Sequence, residues 1–265
     1  MITSRSNPLI KSLRRLSSDR RYREREGCFL VEGVHMVEEA LSSGWPIRLI
    51  LHTPAAAERA GFLWPKAREK NVPLVAVAEG LIDELAGTVT PQGIMALVEM
   101  PRGELAALLG APPSLLVLVD GVQDPGNLGT IVRSAAAAGA QGVVLLPGTV
   151  DLYNPKTVRA TMGALFHLPV VAAAEKEGVL VRLKEAGFAV VAGVPAGGEP
   201  LFALDLTLPV ALAVGNEARG LSPEVLARSN FLATIPMPGR AESLNVAAAA
   251  SIMLYEAVRQ RARKC

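Results

Sequence analysis

Six short apolar runs in the second half of this chain limit its architecture more than any other feature. Residues 115–119, 143–146, 170–173, 189–192, 210–214 and 231–235 are each four or five residues long, rich in Val, Leu and Ala, and show no polar alternation. That is the pattern of strands buried on both faces. Helical patterns lie between them at 128–138, 179–185 and 223–228, and a long one follows from Leu244 to about Arg261. Strand and helix in alternation predict an α/β fold with a mostly parallel sheet covered by helices. The apolar residues come in runs broken by Gly and Pro, far short of the roughly eighteen in a row that a membrane helix needs, so no membrane span is expected.

The first hundred residues alternate differently. Residues 8–16 read as a helix, 29–31 as a strand and 34–41 as an amphipathic helix, followed by strands at 47–51, 74–77 and 93–99. This predicts a smaller α/β domain over 1–100. The stretch 101–113 holds Gly103, Gly110, Pro112 and Pro113 around a short Leu/Ala helix and reads as a linker, leaving 114–265 as the second domain. Two units also suit the length of 265 residues.

The net charge is only +2, but it is unevenly spread. Arg5, Lys11, Arg14, Arg15, Arg20, Arg21, Arg23 and Arg25 face only Asp19 and Glu24 near the N-terminus, and Arg259, Arg261, Arg263 and Lys264 crowd the other end. Basic ends of this kind suit a polyanion, although solvated charged faces are the commoner explanation. The N-terminal stretch has no apolar segment of the kind a secretory leader carries. Cys28 and Cys265 lie far apart, and His35, His52 and His167 have no ligand spacing relative to them, so reduced thiols and no metal are expected.

Three places can carry chemistry. After the strand ending at Asp120, the stretch 121–134 contains Gly121, Gly126 and Gly129 in a turn leading to a helix, with Asn127 placed to cap it and Arg133 six residues further on. It lacks the glycine spacing of dinucleotide or P-loop sites, which argues against a nicotinamide cofactor. The second place, 213–222, again follows an apolar strand and sets Asn216, Glu217 and Arg219 between Gly215 and Gly220, with Ser222 as a helix cap before Pro223. The third, 235–246, runs through Pro236, Met237, Pro238 and Gly239 to Ser243, Leu244 and Asn245 ahead of the last helix. Its prolines fix the backbone, whose amides and carbonyls can read a flat heterocycle, while Ser243 or Asn245 caps the helix.

Together these stretches resemble the three motifs of the SpoU, or TrmH, branch of the SPOUT RNA methyltransferases. Asn127, Gly129, Thr130 and Arg133 resemble the first, 215–221 the second, and Ile235 to Ala247 the third. The segment from Asn154 to Pro169, with Lys156 and Arg159, is similar to the family's central segment. The first hundred residues, notably 6–11 and 29–33, look like its ribosomal-protein-like substrate domain. The resemblance implies a SPOUT α/β fold tied in a trefoil knot, a homodimer, a cytoplasmic protein, and 2′-O-methylation of a ribose in structured RNA by S-adenosylmethionine without a metal. It places the donor at Gly215, Asn216, Ile235, Met237 and Leu244, and catalysis at Arg133, Asn127, Glu217, Ser243 and Asn245. Arg14, Arg15, Arg20, Arg21, Lys156 and Arg159 are the expected RNA contacts. Ribosomal RNA is expected ahead of transfer RNA, and the rival to catalysis is a non-catalytic RNA-binding protein of the same fold.

Overall fold

The computed structural model describes residues 1–87, 90–101, 103–112 and 114–262. Pro113, Arg263, Lys264 and Cys265, which figure in the sequence reading, lie outside the described residues. The chain divides into two units: Met1–Arg102 together with Asp151–His167, and Gly103–Val150 together with Leu168–Cys265.

The first unit is built on four strands, β1 (Cys28–Glu32), β2 (Ile47–His52), β3 (Leu74–Ala76) and β4 (Ile94–Glu99), in the order β1-β4-β2-β3. β4 runs antiparallel to both β1 and β2, and β3 is parallel to β2. Because side chains alternate along a strand, Leu30, Met95 and Leu97 face a core shared with Ile10, Leu13, Leu16 and Ile82. Phe29 belongs to another cluster, with its ring 4.7 Å from Tyr153, 6.1 Å from Trp45 and 6.5 Å from Phe166. Burial raises the pKa of the Tyr153 phenol, as expected of a hydroxyl carried on a packed ring.

Those aromatics explain why Asp151–His167, which the sequence assigns to the C-terminal domain, groups with the N-terminal residues. An ion pair fixes the same segment: Arg23, buried on the helix Arg20–Glu26, donates to Asp151 Oδ2 at 2.5 Å and to the Leu16 carbonyl at 2.5 Å. Arg159 pairs with Glu32 at 3.2 Å, and His167 meets Glu39 at 2.6 Å.

The basic N-terminal stretch is therefore less available than its composition implies. Arg5 and Arg14 pair with Glu84, Arg15 with Asp19, Arg20 with Glu24 and Arg25 with Glu26. Arg21 is exposed and holds no ion pair among the described residues, and Lys156 is exposed beside Asn154, which caps the helix Pro155–Ala160.

The second unit holds seven strands, all parallel: β5 (Leu115–Asp120), β6 (Gly142–Leu145), β7 (Val170–Ala172), β8 (Ala189–Gly193), β9 (Glu199–Pro200), β10 (Val210–Gly215) and β11 (Phe231–Thr234). Their order is β7-β6-β5-β10-β8-β11-β9. The two-residue edge strand β9 follows Gly197 and Gly198, too short to leave a pattern in the sequence. One face of the sheet, with Leu116, Leu118, Val190 and Ala213, packs on Val179, Leu180, Leu183 and Val225 from two short helices. Leu105 and Leu108 join that core, so the stretch read as a linker contributes a helix, Leu105–Leu109, to the unit. The helices Pro125–Ala137 and Val246–Ala262 pack on each other and on the sheet, joined by a Ser134–Ser251 hydroxyl contact of 2.8 Å.

The last helix ends in a clasp. Arg261 donates to the carbonyls of Leu206 at 3.0 Å, Leu208 at 2.9 Å and Ser114 at 3.1 Å, and to Ser114 Oγ at 2.9 Å, while burial lowers its pKa. Arg259 pairs with Glu256 at 2.6 Å. Both arginines serve the fold, so of the two explanations for the basic C-terminal end these residues favour the structural one.

Candidate active site

The strand order reverses beside β5: the chain goes outward to β6 and β7, then returns to the other side at β8 and β10. Ligands in open α/β sheets collect at such switch points, outside the C-terminal ends of the strands. A cavity of about 660 Å³ lies at this end of the sheet, on the β10 side of that point, bounded by the turn after β8, the loop after β10, and residues from β11 to the start of the last helix. It is within the roughly 300–1,000 Å³ of small-molecule sites.

The loop after β10 is built with little freedom. Asn216 and Gly220 exchange backbone hydrogen bonds of 2.9 Å in both directions, and Asn216 Oδ1 accepts the amides of Ala218 and Arg219 at 3.0 Å. Asn216 Nδ2 reaches the Gly121 carbonyl at 2.8 Å, tying this loop to the one after β5. A Cβ at Gly215 would lie 2.2 Å from the Gly220 carbonyl carbon, so no other residue fits without moving the backbone. Below the loop, the buried carboxylate of Asp120 accepts the Ser222 amide at 2.7 Å and pairs with Lys176 at 2.8 Å. The sequence reading missed that pair, because Lys176 stands in an unremarkable loop far from Asp120.

Glu217 points out of this loop and collects amides from the first motif. Its Oε1 accepts Asp124 N and Asn127 Nδ2, both at 3.0 Å, and Oε2 accepts Gln123 N at 3.0 Å. Burial pushes the carboxyl up, but these three donors outweigh it and hold Glu217 below the usual carboxylate range. Asn127 passes the connection on, its Oδ1 accepting Asn245 Nδ2 at 2.9 Å. Asn245 Oδ1 in turn accepts the amides of Ala247 at 2.9 Å and Ala248 at 3.3 Å, so it caps the last helix as expected. Glu217, Asn127 and Asn245 therefore form one hydrogen-bonded chain across all three motifs.

Two capping roles differ from expectation. The helix Pro125–Ala137 is capped by Asp124, which accepts Asn127 N at 2.8 Å; Asn127 sits inside the first turn, its side chain free to bridge. Ser222 does precede the helix Pro223–Arg228, but among the described residues its buried hydroxyl makes no capping bond and has no hydrogen-bond partner.

Gly215, Asn216, Glu217, Ile235, Met237, Ser243, Leu244 and Asn245 all line the cavity. Arg133 does not. At about 100° and 1.5 Å per residue it stands roughly 9 Å along the helix from Asn127 and about 120° round it. It is exposed and, among the described residues, holds no ion pair, so it is not spent on a surface salt bridge. Gly193, Val194 and Pro195 complete the wall and were missed, although a glycine closing an apolar strand before a proline is the same signal that marked the other loops.

Residues 114–255 match the SpoU rRNA Methylase family, and residues 7–96 match the MRM3-like substrate binding domain. The chain belongs to the SpoU rRNA methylase family. It is 37% identical to the 23S rRNA (uridine(2479)-2′-O)-methyltransferase of Streptomyces viridochromogenes, across 98% of this chain and 92% of that protein. It is 36% identical to the Bacillus subtilis 23S rRNA (guanosine(2553)-2′-O)-methyltransferase RlmP, across 96% and 97%. Among solved structures, the SpoU methyltransferase AviRb of S. viridochromogenes in complex with AdoMet superposes with a TM-score of 0.88 at 36% identity, across 97% of this chain and 98% of that one. The AdoMet-bound rRNA methyltransferase of Sinorhizobium meliloti gives 0.86 at 36% identity, across 97% of both.

Proposed function

We infer that this SpoU-family chain transfers a methyl group from S-adenosylmethionine to a ribose 2′-hydroxyl of large-subunit ribosomal RNA. The observation that carries the reading is the Glu217–Asn127–Asn245 chain, which holds three motifs together at the rim of one cavity. The relatives named for ribosomal RNA favour that substrate over transfer RNA.

The cavity suits the donor. Val214, Ile235, Met237, Leu244 and Met253 offer apolar walls for an adenine, and from Pro236 to Leu244 no amide or carbonyl pairs with another backbone group among the described residues. Those groups are free to read the ring edge, with Gly215, Asn216, Ile235, Met237 and Leu244 as the binding positions. The donor supplies a methyl on a sulfonium, so transfer is a single displacement: the ribose oxygen bonds to carbon as the carbon–sulfur bond breaks, and the hydroxyl proton leaves. Such a step depends on alignment, which the fixed loops provide. Among the described residues no cluster of His, Cys, Asp or Glu could hold a metal, and the reading asks for none.

Asn127, Ser243 and Asn245 orient the ribose, and Glu217 keeps the Asn127 amide turned. Arg133 stabilises the developing alkoxide or an adjacent phosphate. A guanidinium stays protonated at working pH and is poorly suited to take the proton itself. Its exposed position off its own cavity supports a homodimer in which each Arg133 serves the partner's site. The trefoil knot and a cytoplasmic location belong to the same reading; among the described residues no helix is long and apolar enough to cross a membrane. Arg14, Arg15, Arg20, Arg21, Lys156 and Arg159 are proposed to hold the RNA backbone, with Arg21 and Lys156 the most available.

The test is methyl transfer from labelled S-adenosylmethionine to unmodified large-subunit ribosomal RNA made in vitro. Label in alkali-resistant dinucleotides supports the reading, because 2′-O-methylation blocks hydrolysis at that linkage. Label on a base, or none with any ribosomal fragment, overturns it.

A further inference from the structure

Two charged side chains line the cavity, and only one of them is occupied. Glu217 is held by three N–H donors from the first motif. Arg219, two residues on, is exposed, and among the described residues its guanidinium has no carboxylate or carbonyl partner. Several other arginines differ: Arg23, Arg159 and Arg228 hold carboxylates, and Arg261 holds three carbonyls. The backbone beneath Arg219 is fixed, with its amide bound to Asn216 Oδ1 at 3.0 Å, Gly220 left-handed at φ +69°, and Gly215 without room for a Cβ. A rigid loop thus presents a planar, five-donor cation to a cavity whose other charged side chain, Glu217, is already engaged.

We propose that Arg219 binds a phosphate of the RNA, the one 3′ to the reacting ribose. This rests on the ribose-methylation reading. The methyl donor gives Arg219 little reason to be there, since its sulfonium adds to a zwitterionic amino acid and makes it a net cation. The RNA is a polyanion, and the 3′-phosphate is attached to the carbon next to the one bearing the attacking hydroxyl. A guanidinium gripping two phosphate oxygens would fix both the position and the rotation of that sugar. Arg219 would then be a binding residue for the nucleotide itself, separate from the surface that holds the surrounding RNA.

The experiment compares wild type, Arg219→Gln and Arg219→Lys on unmodified large-subunit ribosomal RNA. KM for RNA, the salt dependence of RNA binding, and S-adenosylhomocysteine affinity by calorimetry are measured for each. The Gln variant should raise KM for RNA about ten- to a hundredfold, the loss expected for hydrogen bonds to a charged group. Its salt slope should fall by about one contact. Donor-product affinity should stay within about twofold, and Lys should restore the salt slope but only part of KM, because it cannot grip two oxygens. Unchanged KM and slope in the Gln variant would overturn the proposal, as would weakened S-adenosylhomocysteine binding with RNA binding intact, which would assign Arg219 to the donor carboxylate. If wild type itself transfers no methyl group, the underlying reading fails and takes this proposal with it; transfer by wild type with an indifferent Arg219 removes the proposal alone.

Discussion

Replacing Glu217 by Gln removes the charge that holds the first motif against the second while keeping the side chain's length. The carboxylate accepts Asp124 N and Asn127 Nδ2 on one oxygen and Gln123 N on the other. A Gln has one acceptor oxygen, so at least one of these donors must face an NH2 group, and the rest lose the added strength of an ionised acceptor. A lost hydrogen bond to a charged group costs about 1.5–3 kcal/mol, and the exposure of Glu217 brings this down to about 1–2 kcal/mol. That corresponds to roughly a five- to thirtyfold weaker S-adenosylhomocysteine affinity, if the loop must be ordered to bind. The pH dependence is a second signature. Glu217 is depressed on folding, so its contribution is complete above the unfolded value of about 4.3 and disappears as pH falls through the lower folded value. Calorimetry from pH 7.5 into the acid range should therefore show a gap between wild type and Glu217→Gln that is constant above the unfolded value of about 4.3 and narrows as pH falls below it. Equal affinities at pH 7.5, or a gap that ignores pH, would refute the role given to this carboxylate.

Other residues give independent checks. Asn245→Ser keeps a cap on the last helix but breaks the link to Asn127, so kcat should fall at least tenfold with the melting temperature nearly unchanged, whereas Asn245→Ala should also lose about 1 kcal/mol of stability in a denaturant titration. Gly215→Ala forces a Cβ to within 2.2 Å of the Gly220 carbonyl carbon and should cost about 1–3 kcal/mol and abolish donor binding, measured by thermal melts with and without S-adenosylhomocysteine. Arg23→Met strands the partly buried Asp151 and should destabilise the first unit by about 2–4 kcal/mol, seen as an earlier urea transition of its Trp fluorescence; a change under about 1 kcal/mol would mean the pair contributes little.

Much of this was legible in the sequence because the strongest signals are local. The six apolar runs became the six main strands of the parallel sheet, and the three motif loops follow β5, β10 and β11 as their glycines and prolines indicate. What the sequence could not supply was pairing between distant residues. Nothing near Arg23 announces Asp151, and nothing in the basic stretch announces that Glu84 takes up both Arg5 and Arg14. Charge counts therefore overstated the free cationic surface at both ends. The segment Asp151–His167 was placed with its sequence neighbours because its partners, Phe29 and Trp45, lie more than a hundred residues earlier. Asn127 looks locally like a cap, the usual role of Asn before a helix, whereas its side-chain partners, Glu217 and Asn245, come from two other loops.

A crystal structure with S-adenosylhomocysteine bound tests the central claim most directly. The ligand is expected in the cavity beside Gly215, with its adenine edge on the backbone of residues 235–244 and its sulfur turned toward Asn127. Ligand density at any other place on the molecule, or a cavity left empty at saturating concentration, would contradict it.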